Sequence, residues 1–260
     1  HPEVKLAGIG VGAPNGNHYN GVIQDPPNLS WGHVDMVSLL REKFNCDVSL
    51  INDANAAALG EKYFGIAKDM NDFIMITLGT GLGSGIFSGG KIIYGHDSLA
   101  GEIGHLSIDH NGRNCSCGLK GCLEMYASAK GIKETVIELL QVNPDDDFLS
   151  SLDLDYVDGK VIDRAVDDGV ESAISVYEFT AEKLAYGLAQ AATILSPEAF
   201  IFYGGFSLAG DRLFNPTRKV FESYLMENLK GRISILQSGL PHGPAGVLGA
   251  ASLIWSSDLK

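Results

Sequence analysis

The sequence is short of positive charge. Nineteen Lys and Arg stand against thirty-two Asp and Glu, a formal net charge of −13, and the basic residues nowhere cluster. A field of that sign repels nucleic-acid phosphates and anionic membrane surfaces, so neither is expected as a partner. Long apolar runs are missing too. Nothing approaches the roughly 20 consecutive residues a membrane helix needs, no secretory leader is legible, and the expected compartment is the cytoplasm. Two nucleotide signatures are absent as well. There is no GxxxxGK[ST] loop, and the glycine phrase TLGTGLGSG (77–85) runs into a strand and not a helix, so the dinucleotide fingerprint fails. Charge does not exclude a nucleotide, because backbone N–H groups and magnesium hold phosphates without a basic patch.

Cysteine is scarce but concentrated. Of four in all, three crowd into CSCGLKGC as Cys115, Cys117 and Cys122, while Cys46 stands alone. In a chain of this size such crowding reads as metal binding before a disulfide framework. Zinc takes four N or S ligands in a tetrahedron. Three thiolates are supplied within eight residues, with Gly118 and Gly121 for the turns between them, and His105 and His110 are the candidates for the fourth ligand. Four protein ligands leave no open position, so the metal is expected to be structural. It would also hold the long Gly-, His- and Cys-rich connection over 96–123, which has no other visible means of order.

What the chain has in abundance is glycine, thirty-two residues clustered in phrases such as ITLGTGLGSGIFSGG and FYGGFSLAG. Clustering of that kind marks tight turns and close backbone approach to a ligand. Around these phrases the patterns alternate. Strands are predicted over 4–14, 48–53, 72–79, 198–205 and 234–238, and a hairpin over 83–95 turning at Ser88-Gly89-Gly90. Helices are predicted over 32–44, 54–65, 170–195, 215–228 and 243–255, and 124–197 is mainly helical, interrupted by the acidic loop NPDDDF. The order of elements makes the fold class α/β.

Asn52 and Asp53 fall between a predicted strand and helix, at the strand end where α/β folds place ligands. Either residue caps a helix well, so Asp53 reads equally as a cap or as a catalytic carboxylate. TLGTGLGSG and the Gly pair after Tyr203 suit a phosphate cradle, although turn geometry alone accounts for such glycines as readily. Glu102 and Glu124 bracket the cysteine loop; a metal there would hold both at its edges, where carboxylates can grip a polyhydroxyl ligand.

AGEIGH followed by CSCGLKGCLE resembles the signature of the ROK family of repressors and sugar kinases. Similarity extends through GVGAP, INDANAAALGE, ITLGTGLGSG and YGGFS, covers nearly the whole chain, and looks most like the glucokinase branch. The resemblance implies an actin-like ATPase, ribonuclease H-like, two-lobed sugar kinase fold. The N-terminal lobe would be 1–68 with 243–260 packed back on it, and the C-terminal lobe 69–242 with a zinc loop over 104–123. It implies ATP-dependent phosphorylation of a hexose, with glucose to glucose 6-phosphate the favoured reaction. Asp53 matches the general base, and Asn52, Asp53, Glu102, His105 and Glu124 the sugar-binding residues, with Gly12 and Asn28 lining the pocket. His105, Cys115, Cys117 and Cys122 match the zinc ligands, so the resemblance selects His105 over His110. Thr80 and Gly81 match the phosphate-side turn and Gly204 and Gly205 the adenosine-side turn of an ATP site served by Mg2+. A homo-oligomer, dimer or tetramer, is implied.

The sequence departs from that family in one respect. Its kinases open on a strand and a DxGGT-type turn, and no such phrase occurs here. The expectation is a chain lacking roughly sixty opening residues, by the size of a βββα unit. Such a chain is expected to keep zinc and some sugar affinity but to transfer phosphate poorly or not at all. Two other functions compete: a sugar-sensing repressor of the same family, and a non-catalytic sugar-binding fragment. Retention of Asp53 and of the GTG turn favours the kinase, since a sensor needs neither.

Overall fold

The computed structural model describes residues 5–26, 30–155, 157, 159–241, 243 and 245–255. In chain order its elements are strands β1 (Gly8–Gly12), β2 (Val22–Gln24) and β3 (His33–Asp35), helix α1 (Met36–Phe44), strand β4 (Asp47–Ile51) and helix α2 (Asp53–Phe64). Strands β5 (Phe73–Leu78), β6 (Leu82–Ser88) and β7 (Lys91–Ile92) come next. Helices α3 (Ala129–Val142), α4 (Asp147–Ser150), α5 (Gly159–Asp167) and α6 (Glu171–Leu195) follow the cysteine loop. Strand β8 (Ala199–Tyr203), helix α7 (Asp211–Tyr224), strand β9 (Ser234–Gln237) and helix α8 (Ala245–Ser252) complete the chain.

These elements form two compact units. The first takes the chain up to Ile76, then Ser84–Gly101 and the stretch from Ser238; the second is Thr77–Gly83 with Glu102–Gln237. Ser84–Gly101, expected with the C-terminal lobe, thus counts with the first unit. The reason is close packing: a Cβ on Gly85 would come within 2.6 Å of the Ala58 Cβ on α2.

In the first unit β1 and β4 run parallel, with Gly8 opposite Asp47 and Gly12 opposite Ile51. Ala13, Ile23 and Leu50 make a buried cluster beside them. Helix α1 begins four residues later than its apolar spacing predicts. His33–Asp35 pairs with β2, and the Asp35 carboxylate accepts the Ser38 N–H at 3.0 Å as the helix cap. Between β6 and β7, Gly89 and Gly90 (φ 58° and 77°) make the two-residue hairpin turn that their sequence predicts.

Helix α8 lies on α2 and β1 at a separation that only small residues permit. A Cβ on Gly249 would sit 1.6 Å from the Ala56 carbonyl oxygen. Gly249→Ala is therefore expected to force the two helices apart and to lower stability by about 1–3 kcal/mol or more. Denaturant unfolding checks this, and an unshifted midpoint would mean that the helices do not pack so closely.

The second unit is built around α6, 25 residues long, ended by a left-handed Ser196 (φ 44°) just before Pro197. Parallel strands β8 and β9 pair from Ala199 opposite Ser234 to Phe202 opposite Gln237. Helix α7 begins and ends one turn earlier than predicted. Gly210 (φ 58°) breaks the chain from the preceding 3-10 turn, Asp211 opens the helix, and the extended Leu225 stops it.

Candidate functional site

The parallel pairing of β1 with β4 delivers Asn52 and Asp53 to the carboxyl end of a strand. Asn52 is extended (φ −60°, ψ 146°), and its Oδ1 accepts from the N–H groups of Ala54 (2.8 Å) and Asn55 (3.3 Å). The cap is thus Asn52. Asp53, in the first turn, accepts the Ala54 N–H at 3.0 Å and has an exposed rim. The protein atoms gathered around its carboxylate raise its pKa above the usual carboxylate range, with the Ala54 N–H pulling the other way. A carboxylate held less acidic than usual suits proton abstraction.

Asn52 also borders an open cavity of about 380 Å³, together with Asn15, Asn17, Asp25 and Asp97. Its wall is two loops stitched together: the Asn17 amide donates to the Asp97 carbonyl (2.9 Å), and the His18 N–H to Ser98 Oγ (2.9 Å). The Tyr19 hydroxyl donates to the Gly95 carbonyl (2.7 Å). The sequence reading missed this wall. Its only local trace is the NGN run at 15–17, a turn phrase rich in amides. Gly12 lies beneath the first turn of α2, where a Cβ would stand 2.8 Å from that of Ala56. It borders a different groove, of about 710 Å³, along β1 and α8. Asn28 lies outside the described residues.

In the second unit, His105, Cys115, Cys117 and Cys122 converge, their ligand atoms all within 4.8 Å of one another. Cys115 Sγ lies 3.6 Å from His105 Nδ1, and Cys117 Sγ 3.5 Å from Cys122 Sγ. A tetrahedron with zinc–sulfur bonds of about 2.3 Å and a zinc–nitrogen bond of about 2.0–2.1 Å has edges of about 3.6–3.8 Å. The donor set and spacing therefore fit zinc. His110 stays outside the set, its Nδ1 3.5 Å from Ser107 Oγ. Burial pushes the Cys122 thiol well above its ordinary pKa, and the neighbouring sulfurs of Cys117 and Cys115 add to this. A dication at the centre would reverse that preference by favouring thiolates. The loop is tight enough to need glycine: at Gly121 (φ 66°) a Cβ would fall 1.7 Å from the Asp109 carbonyl oxygen. With Nδ1 turned to the sulfurs, the other imidazole nitrogen, Nε2, faces Glu102 Oε2 at 4.0 Å.

Glu124 connects this loop to the glycine turn. Its Oε2 accepts the Leu82 N–H at 2.9 Å, just beyond Gly81, and its second oxygen makes no hydrogen bond among the described residues. The turn itself is closed by the Gly79 N–H on the Gly81 carbonyl (3.0 Å) and leaves Thr80 exposed. Gly204 (φ 105°) abuts the end of β5, where a Cβ would come 2.3 Å from the Leu78 carbonyl oxygen; Gly205 next to it has open space around it. Both glycine turns thus leave adjacent strand ends with bare backbone, an arrangement able to receive phosphate oxygens.

The chain belongs to the ROK family, whose match spans residues 3–256. Within that family it stands with the glucokinase branch, and its architecture is the actin-like ATPase fold of ROK sugar kinases. It is 34% identical over 254 residues to a glucokinase of Thermotoga maritima, covering 95% of this chain and 78% of that protein. The structure of a ROK family glucokinase from Streptomyces griseus in complex with glucose and AMPPNP superposes with a TM-score of 0.83 at 32% identity, covering 97% of this chain and 82% of that one. A xylose repressor of Caldicellulosiruptor bescii is 33% identical over 260 residues, 98% of this chain but only 64% of the repressor.

Proposed function

We propose that this protein is an ATP-dependent hexose kinase acting on glucose, with Asp53 as general base. The observation that carries the reading is the start of α2, where Asn52 takes over the capping and leaves Asp53, with its raised pKa, available to a ligand hydroxyl. Asp53 takes the proton of the sugar's primary hydroxyl as that oxygen attacks the γ-phosphorus in line. The new O–P bond forms while the bond from phosphorus to the bridging β,γ-oxygen breaks, and ADP leaves with the electron pair. The Asn52 amide, the carboxylates of Glu102 and Glu124 and the Nε2 of His105 grip the remaining hydroxyls. Thr80 and Gly81 receive the phosphates, and Gly204 and Gly205 the adenosine side; magnesium, when bound, offsets the phosphate charge.

His105, Cys115, Cys117 and Cys122 hold a zinc ion whose contribution is structural, fixing the His105 ring and the loop. The two units are the lobes of a cytoplasmic homo-oligomer of carbohydrate metabolism. A sugar-sensing repressor is the second reading, favoured by the similarity to the xylose repressor. It leaves the raised pKa of Asp53 and the bare glycine turns without a task. A coupled ADP-release assay with magnesium-ATP and a panel of hexoses separates the two. Turnover fastest with glucose is expected. Hexose that raises the melting temperature without any ADP release would leave a sensor.

A further inference from the structure

We propose that Arg113 is a positioning residue for the sugar site, the clamp that fixes Glu124 and the cysteine loop in register with α3. The inference rests on the kinase reading only for its kinetic consequence. Arg113 precedes the first cysteine of the loop, and its side chain is only 9% exposed. A guanidinium has five N–H donors in a rigid fork, and here all five are used. Nε and Nη2 donate to the two carboxylate oxygens of Glu138 (2.8 and 2.7 Å). Nη1 donates to the carbonyls of Met125 (2.6 Å) and Gly131 (2.9 Å), and Nη2 also to Thr135 Oγ1 (2.9 Å). The plane of the fork lies over the Tyr126 ring, 4.6 Å from its centre.

The backbone of the same residue ties the loop on the other side. The Arg113 carbonyl accepts the Gly121 N–H at 2.7 Å, and its N–H donates to the Tyr126 hydroxyl at 3.1 Å. One residue therefore joins the outgoing limb of the loop, the returning limb just before Cys122, the residue after Glu124, and three positions of α3. Glu124 has its own carbonyl held by the Ser128 hydroxyl at 2.7 Å. With Met125 held by Arg113, the backbone on both sides of the Glu124 side chain is set, and its carboxylate aim follows. Neither a lysine nor an apolar residue replaces this. A lysine offers three donors from one point and cannot span Glu138 and two carbonyls together. An apolar side chain removes the donor from the buried Met125 carbonyl, the Thr135 hydroxyl oxygen and the Glu138 carboxylate, while the Gly131 carbonyl keeps the Thr135 hydroxyl.

Arg113→Lys and Arg113→Met are the direct tests, with Glu138→Gln as the milder variant that keeps one acceptor oxygen for the fork but loses the second acceptor and the charge. Each is purified with its metal and read in two ways: KM for hexose against KM for ATP, and the rate at which a chelator with a zinc-sensitive dye withdraws zinc. The expected result is at least a tenfold rise in hexose KM for both arginine variants with ATP KM within twofold of wild type. Zinc release should quicken severalfold, and Glu138→Gln should fall between the extremes on both readouts. Hexose KM and zinc release both unchanged in soluble Arg113→Lys, even with a lower melting temperature, would overturn the proposal and leave Arg113 a generic structural residue. Should the wild-type protein release no ADP with any hexose, the kinase reading fails by itself, and zinc release still decides the clamp.

Discussion

Asp53→Asn is expected to keep its sugar and lose its turnover, with kcat lower by about 10²–10⁴-fold and hexose affinity within tenfold of wild type. Asparagine preserves the size of the side chain and one acceptor for the Ala54 N–H, but it cannot take a proton. The pH dependence follows from the raised pKa. A base must be ionised to work, so wild-type kcat/KM should fall toward acid with an apparent pKa above the usual carboxylate range. Stability runs the opposite way. A carboxyl whose folded pKa is raised stabilises the fold below its unfolded pKa, and that contribution is lost as pH rises through the folded value. At neutral pH the ionised Asp53 is therefore a slight liability, and Asp53→Asn should melt no lower than wild type there, with the advantage vanishing in acid. Full turnover in the variant would place the base elsewhere. A variant that melts lower at neutral pH would mean that the carboxylate is a structural partner.

The features that the sequence disclosed are those made by neighbours along the chain. Asn52 and Asp53 stand next to each other, so the strand end, the cap and the candidate base lie within a few residues. The three cysteines lie within eight residues, and the two hairpin glycines are adjacent. What stayed hidden depends on partners far away. The fork of Arg113 finds acceptors 12 to 25 positions on, and an isolated arginine in a polar loop carries no sign of them. The wall of the first-unit cavity joins Asn17 to Asp97 across 80 residues. Ser84–Gly101 goes with the first unit because Gly85 lets β6 approach α2, a fact of packing that alternation along β6 does not encode. Likewise the late start of α1 follows from β3 pairing with β2, which takes three residues that helical spacing had claimed. The choice between His105 and His110 was open on spacing alone, since both precede the cysteines; the family resemblance selects His105, whose Nδ1 stands 3.6 Å from the Cys115 sulfur.

Removal of the metal should have the largest effect on the sugar site and a small one on the rest of the second unit. The loop from Gly104 to Cys122 contributes little apolar surface of its own: Cys115 and Cys122, with Ile108, pack on Met125, Tyr126 and Phe179. Its order otherwise depends on the Arg113 fork and on backbone bonds such as Cys115 N–H to Leu119 carbonyl at 2.9 Å. Structural zinc in small domains supplies about 10–16 kcal/mol of apparent binding free energy, far more than these contacts replace. Without it the four ligand side chains are joined only by weak thiol contacts, such as Cys117 Sγ to Cys122 Sγ at 3.5 Å, and the loop opens more readily. Cys122→Ser is expected to retain no zinc, to become cleavable by protease within 104–122, and to lose hexose affinity by about 10–100-fold, the usual cost of disturbing groups that orient a site. The loop meets α6 only near Phe179, and α6 also packs on α7 away from it, so most of the melting transition should survive. Hexose affinity unchanged in a variant shown to be free of zinc would uncouple the metal from the sugar. Equal loss of affinity and of the entire melting transition would instead make the metal a keystone of the whole unit, with the orientation of His105 only one casualty among many.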